Sequence, residues 1–375
     1  MVINVIQEYL IQDDVIEMKN LILKLLDNHE LGLEEVESDA VDTDPRFCVV
    51  QDSEGALQVQ MEVQPDRDTA YIEEFVNAVA FPEDVKQKDR KDPRAFYSEI
   101  NSFFEKYNPS YYYSPKTRLF FDAAKKTIGT DFFPVFLPTI YDNSVQDVIV
   151  FRELIENIKE IRSSKSFKSQ YGKWRGNFDK SYKSTVQYVD MLFEKYSRLL
   201  VVRLDLGFKK SLDGDEFSVE ATKKLLKRFL NAKRSNKIFE DLVGYVWKLE
   251  YGELKGYHYH LLIFLNGADA HKDVYRGLRM GEYWIELTEG KGIFYLSNLN
   301  KNYFNKRGLL GIGMISHFQK EKRGNLDRIV RYFFKEDQYM REKPKKGSRT
   351  FGKGEISLSS KIRVGRPRKQ YGSDS

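Results

Sequence analysis

The sequence predicts an α+β fold built on a mainly antiparallel sheet, and three stretches carry that prediction. Arg198–Leu206 is a run of branched aliphatic residues that ends in polar alternation, as expected of a buried strand whose last residues have one face open. Phe217–Ala232 places its apolar residues at helical spacing. Val243–Gly252 and Gly256–Phe264 are rich in β-branched and aromatic residues and flank a short polar break that begins at Glu253, so they read as an antiparallel hairpin. Strand, helix and hairpin in that order begin an α+β domain.

The rest of the chain is read in order around this centre. Ile6, Leu10, Val15, Met18, Leu21, Ile22 and Leu25 suggest a helix, and an acidic linker follows from Glu30 to Asp44. Leu57, Val59, Met61 and Val63 alternate with polar residues as a strand would, and Tyr71–Val79 suggests a helix. These elements carry no recognisable chemistry and form a separate, mixed accessory domain over 1–144. A helical pattern from Val145 to Ile161 then leads into a basic and aromatic segment, so 145–199 reads as a basic-aromatic helical segment. The main domain spans 200–340. Within it, Val274–Leu287 suggests a helix and Leu309–Ile315 is an apolar segment interrupted by glycine. Gly324-Asn325-Leu326-Asp327 punctuates the start of a last helix running to Tyr339, with Leu326, Ile329, Val330, Phe333 and Phe334 on one stripe. Residues 341–375 form a basic, flexible tail.

Charge and composition narrow the function. Residues 1–100 carry 24 acidic and 9 basic residues and 101–375 carry 32 acidic and 52 basic, so a balance of −15 is joined to one of +20. A basic body with an acidic segment attached fits a polyanionic partner. Cys48 is the only cysteine, which excludes an intrachain disulfide and fits a reducing compartment. No apolar run approaches the roughly twenty residues needed to cross a bilayer, so the expectation is a soluble, intracellular protein with no membrane partner. From Arg162 to Lys183, cations alternate with rings: Lys165, Lys168, Lys173 and Arg175 lie among Phe167, Tyr171, Trp174 and Phe178. Cations neutralise phosphates and rings stack on unpaired bases, so a single nucleic-acid strand is the expected ligand. A helix that turns its rings inward would have the same composition.

The candidate chemistry lies in the hairpin. In a strand, residues two apart share a face, so His258 and His260 point the same way. Two neutral imidazoles on a rigid face can supply two ligands to a divalent metal. Glu250 lies opposite or diagonal to His258, depending on register, and would add a carboxylate. Two nitrogens and one oxygen do not choose between magnesium, manganese and zinc. An exposed sheet face with idle histidines is the plain alternative. Arg203 and Asp205 share a face of the preceding strand. On the last helix, Tyr332 sits at the edge of the apolar stripe on the side of Arg328, Lys335 and Tyr339. Neighbouring cations favour a phenolate, so Tyr332 is a candidate nucleophile for a phosphodiester.

Arg203-Leu-Asp205-Leu, Glu250…Gly256-Tyr-His258-Tyr-His260 and Tyr332-Phe-Phe-Lys335 together resemble the HUH endonucleases. Residues 145–370 are similar to the inovirus gene-two-protein-like family, also called the YagK/YfjJ carboxy-terminal domain. Arg198–Asp205, Glu250–His260, Tyr332–Gln338, Arg349–Gly352 and Gly365–Arg368 carry that likeness. It implies an HUH-type antiparallel sheet with flanking helices, in the manner of an RRM or ferredoxin-like palm. His258, His260 and Glu250 would hold a divalent cation, Mg2+ or Mn2+. Tyr332 would be the nucleophile, with Lys335 as its phosphate or phenolate partner. The implied reaction is metal-assisted nicking and joining of single-stranded or locally melted origin DNA through a 5′-phosphotyrosyl link. The implied setting is rolling-circle replication of a phage or mobile element in the bacterial cytoplasm, beside host helicase and polymerase. Arg203, Lys165, Lys168, Lys173, Trp174 and Arg175 would contact DNA. Arg366 and Arg368, in a tail segment resembling an AT-hook, would enter its minor groove. No second tyrosine follows Tyr332 at a four-residue spacing; Tyr339 is the nearest substitute. The competing readings are a DNA-binding regulator that keeps the HUH fold without catalysis and a structural metal module. A structural zinc site would require a closed set of four ligands, and no Cys–His cluster offers one.

Overall fold

A computed structural model describes residues 47–51, 57–61, 68–107, 109, 111–129, 145–209, 217–252, 256–334, 341–342 and 349–356. Two short strands open the described chain, β1 (Phe47–Gln51) and β2 (Leu57–Met61). Helices α1 (Asp68–Ala80) and α2 (Ile100–Glu105), the two-residue strand β3 (Tyr111–Tyr112), and helices α3 (Pro115–Ile128) and α4 (Val145–Ser163) follow. The 31-residue helix α5 (Lys165–Lys195) leads into the central strand β4 (Arg198–Phe208). Then come α6 (Val219–Asn231), the hairpin β5 (Leu242–Gly252) and β6 (Gly256–Asn266), α7 (Asp273–Leu287) and β7 (Gly292–Leu296). Helix α8 (Lys301–Lys306), β8 (Gly313–Ser316), α9 (Lys320–Phe333), β9 (Arg341–Glu342) and β10 (Phe351–Lys353) complete the order. The helix expected over Ile6–Leu25 and the boundary near 144 fall outside the described residues.

Eight of these strands form one open sheet in the order β10-β5-β6-β4-β7-β1-β2, with β8 also on β4, and every pair is antiparallel. The mixed α+β architecture expected from the sequence is therefore present. β1 pairs with β7, so the amino-terminal hairpin extends the sheet. The small β3–β9 pair stands apart.

Period-two alternation divides the sheet into two faces. Leu200, Val202, Leu204 and Leu206 of β4 and Tyr259, Leu261, Ile263 and Leu265 of β6 face one side, where Leu226 and Phe229 of α6 and Leu278 and Trp284 of α7 cover them. Leu199, Val201, Leu262, Phe264 and Val246 face the other side, under Tyr188, Val189 and Phe193 of α5 and Leu326, Val330 and Phe333 of α9. On this second face the cover spans only half of the sheet. At Arg203 on β4 and at His260 on β6, continuous burial gives way to alternation. Register brings the two alternating ends side by side, because Asp205 pairs with His260. A third cluster, rich in phenylalanine, joins α1, α2, α3 and α4, with Phe167 and Tyr171 of α5 against it. Helix α5 thus runs from the helical bundle to the sheet.

One edge of β4 is shared. β8 pairs with its first residues, up to Val201, and β7 with its last, from Leu204 onward. The gap is filled by the buried carboxamide of Asn298, which donates to the Val201 carbonyl at 3.0 Å and accepts from the Arg203 amide at 2.9 Å. It also donates to Asp273 at 2.6 Å. Asn298 therefore replaces two missing ladder bonds and fixes the backbone at the residue where the polar half of the strand begins.

Helix α9 begins earlier than the sequence suggests, at Lys320 rather than at Gly324. Gly324 has open space where a side chain would lie, and Asn325 is not a cap. Its buried side chain donates to the carbonyls of Gly308 and Leu310, tying the helix to the loop before β8. A Gly-Asn pair that resembles punctuation is thus a tertiary tether. The described helix ends at Phe333, and Lys335 and Tyr339 lie outside the described residues.

Asn298→Ala would leave the Val201 carbonyl and the Arg203 amide buried and unpaired. The expected loss is about 2–4 kcal/mol, read as a lower urea midpoint with an unchanged slope.

A candidate metal centre on the open half of the sheet

The hairpin register places Glu250 directly opposite His258 and Lys248 opposite His260. On the other side of β6, Asp205 is paired with His260. Alternation then turns Lys248, Glu250, His258, His260, Arg203 and Asp205 to the same face, beyond the apolar cover. One ligand atom each from Glu250, His258 and His260 lies within 4.8 Å of the other two, so the three residues could hold a metal ion. His260 Nε2 is 3.1 Å from Glu250 Oε2, and His258 Nε2 is 3.8 Å from the same oxygen. The imidazoles stand nearly perpendicular, with centroids 5.0 Å apart.

Contacts behind the two histidines orient them. His258 Nδ1 lies 3.1 Å from the Gly256 carbonyl; donation there leaves the Nε2 lone pair toward Glu250. His260 Nδ1 lies 2.9 Å from Asp205 Oδ1, an ion pair when the imidazole is protonated. Arg203 Nε is buried and lies 3.9 Å from the same Asp205 oxygen. Two nitrogens and one carboxylate oxygen suit a divalent cation that retains open positions.

The electrostatics point the same way. Burial by itself raises the Glu250 pKa, but Lys248 and then His260 hold it well below the usual carboxylate range. Burial likewise opposes ionisation of Asp205, and His260 and Arg203 overcome it, so this carboxyl is also depressed. For His260, burial pushes the pKa down, yet the carboxylates of Asp205 and Glu250 carry it up to about 9. Without metal, a proton on His260 therefore holds the two carboxylates together.

Tyr332 is 48 % exposed and lies beside this face. The Arg203 guanidinium is 5.5 Å from the centre of its ring and 5.8 Å from that of Phe333. The same arginine approaches Asp205 Oδ1 to 3.9 Å, and Phe333 packs near His260 with centroids 6.1 Å apart. Arg203 thus spans from the sheet to the helix that carries Tyr332. On α5, Lys165, Lys168, Lys173 and Arg175 are exposed and Trp174 is half-buried. Phe167, Tyr171, Trp174, Phe178 and Tyr182 stack in sequence along one side of that helix. The ends of this ladder pack on Phe81 and Phe334, and Arg175 approaches Asp84 to 3.6 Å. Arg366 and Arg368 lie outside the described residues, as do Lys335 and Tyr339.

Sequence reasoning gave no role to Lys248 or Asn298. Lys248 was visible as a polar residue alternating with Glu250 in an apolar strand. Asn298 left no periodic signal, because its task depends on two strands meeting on one edge.

The sequence family YagK/YfjJ C-terminal domain matches residues 161–354, more than half of the chain. The match runs from the end of α4 to β10 and includes the whole candidate centre. No curated protein and no solved structure matches the chain. Among the described residues, no helix is long and apolar enough to cross a membrane.

Replacing His258 and His260 together with alanine should abolish Mn2+ binding while the circular dichroism spectrum is retained. Loss of the spectrum would give the histidines a structural role instead. The raised His260 pKa sets a pH dependence. Its folded value exceeds the ordinary 6.5, so its contribution to metal-free stability is complete below that pH and lost as pH rises through about 9. Metal must displace the Nε2 proton over this range. Calorimetry at pH 7.5 in buffers of different ionisation enthalpy should therefore show about one proton released per metal bound.

Proposed function

The chain belongs to the YagK/YfjJ C-terminal domain family, and from that premise we propose that it is an HUH-type DNA nicking-joining endonuclease. It would act on single-stranded or locally melted DNA at the origin of a phage or mobile element, to start rolling-circle replication. The observation that carries the reading is Arg203. It bridges the carboxylate beside His260 and the ring of Tyr332, so nucleophile and metal centre share one charged link. The central antiparallel strands with their flanking helices would correspond to the palm of that superfamily.

Glu250, His258 and His260 would hold the cation, Mg2+ or Mn2+. The bound ion would supply Lewis-acid polarisation of a phosphodiester oxygen. The chain's own residues do the rest. The Tyr332 phenol loses its proton and its oxygen attacks phosphorus. The bond to the 3′ oxygen breaks and that oxygen takes up a proton in place of the one the phenol lost, which leaves a 5′-phosphotyrosyl ester and a free 3′-hydroxyl for a host polymerase to extend. Attack by a 3′-hydroxyl on that ester reverses the step and rejoins the strand without external energy. Arg203, whose guanidinium lies over the Tyr332 ring, would help to hold the phosphate there, and Lys335 would assist as a phosphate or phenolate partner. The cations of α5 and the half-buried Trp174 would track the strand leading to the site, and Arg366 and Arg368 would add duplex contacts. The host replication helicase and polymerase would be partners in the bacterial cytoplasm.

Tyr332→Phe removes only a hydroxyl, so DNA binding and fold should persist while the covalent protein–DNA adduct disappears. Tyr339→Phe should retain the adduct. Mass spectrometry of the trapped species decides it: a nucleotide on any other tyrosine overturns the assignment. DNA binding without any adduct under Mg2+ or Mn2+ would favour a regulator that keeps the fold without the chemistry. Deleting residues 361–375 should weaken duplex binding and flatten its salt dependence by about 0.9 for each phosphate no longer neutralised.

A further inference from the structure

Lys248 has no part in the chemistry above, yet it is enclosed in the wall of the site with a side chain only 9 % exposed. Its Nζ lies 2.8 Å from Oε1 of Glu250. Both contacts from the histidines are to the other oxygen, Oε2. The carboxylate is thus divided, with one oxygen toward an ammonium and the other toward two imidazoles. Lys248 cannot leave this position freely. It is paired across the ladder with His260 on one side and with Phe351 of the edge strand β10 on the other. Phe351 packs on Phe334 with centroids 4.6 Å apart, and the Leu249 amide donates to the Thr350 carbonyl at 2.8 Å.

We propose that Lys248 determines which cation the centre accepts, by occupying Oε1 and so restricting Glu250 to one oxygen. This inference rests on the metal-centre reading of Glu250, His258 and His260. Ca2+ takes six to eight oxygens and gains from carboxylates that chelate with both, whereas Mg2+ is satisfied by six ligands and keeps several waters. Mn2+ shares the preference for six. The ammonium charge repels any divalent ion alike, so it cannot discriminate between them. The number of carboxylate oxygens left for the metal can. A lysine held in a buried ion pair withholds one oxygen.

The test uses the full chain and measures binding, so it does not depend on cleavage. Free Mn2+ is followed by electron paramagnetic resonance while Ca2+ competes, for the wild-type protein, Lys248→Met and Lys248→Gln. Two variants are used because either replacement at an enclosed site could unfold the protein, and circular dichroism selects the folded one. The Ca2+ concentration that displaces half of the Mn2+ should fall at least tenfold in the folded variant. If it stays within twofold of wild type, including the case where both ions bind more weakly by the same factor, Lys248 does not set selectivity and the proposal fails. If the wild-type protein binds neither ion, the metal centre itself is wrong and the proposal falls with it.

Discussion

The pairing of β6 between β4 and β5 is the constraint on which the rest depends. Side chains alternate with a period of two, so a slip of one residue would send His258, His260 and their neighbours into the apolar face and expose the core. The register is held because the far ends of the same strands are buried on both faces. Val201, Leu262, Phe264 and Val246 lie under α5 and α9 while their neighbours pack on α6 and α7. Burial at one end of the ladder therefore positions charged groups at the other. Asn298 completes this device, since it closes the ladder of β4 where two partner strands leave a gap.

The charges brought together are balanced. Glu250 and Asp205 carry two negative charges, Lys248 and Arg203 two positive ones, and all four lie on one sheet face in contact with each other or with His260. Burying any one alone would be costly, so the group is stable only as a set. With neutral histidines the set is close to neutral, and a bound divalent cation would make it doubly positive. That is the charge a phosphodiester and a phenolate together would offset, which is why the electrostatics suit the proposed transesterification better than an idle sheet face.

Helices α5 and α9 connect this face to the remainder of the molecule. Tyr182 of α5 donates to Asp327 of α9 at 2.8 Å, Arg331 lies over the Tyr182 ring, and Arg323 pairs with Asp190. Through its ladder of rings, α5 also reaches the phenylalanine-rich bundle. The rings thus serve packing at both ends of the helix, while the exposed lysines between them remain available to solvent.

Local patterning was sufficient to reveal much of this. Alternation and helical spacing located β4, α6, β5, β6 and α7, and His258 and His260 had to share a face because the strand period leaves no other choice. The proximity of Arg203 to Asp205 followed from the same period. The opposition of Glu250 to His258 did not, since register is fixed by burial across three strands. Nor could the chain reveal that Gly324 lies inside a helix, that Lys248 divides the Glu250 carboxylate, or that Arg203 meets the Tyr332 ring. Each of those depends on residues far apart in sequence being brought to one face, and only the tertiary packing of strands and helices sets which distant groups meet.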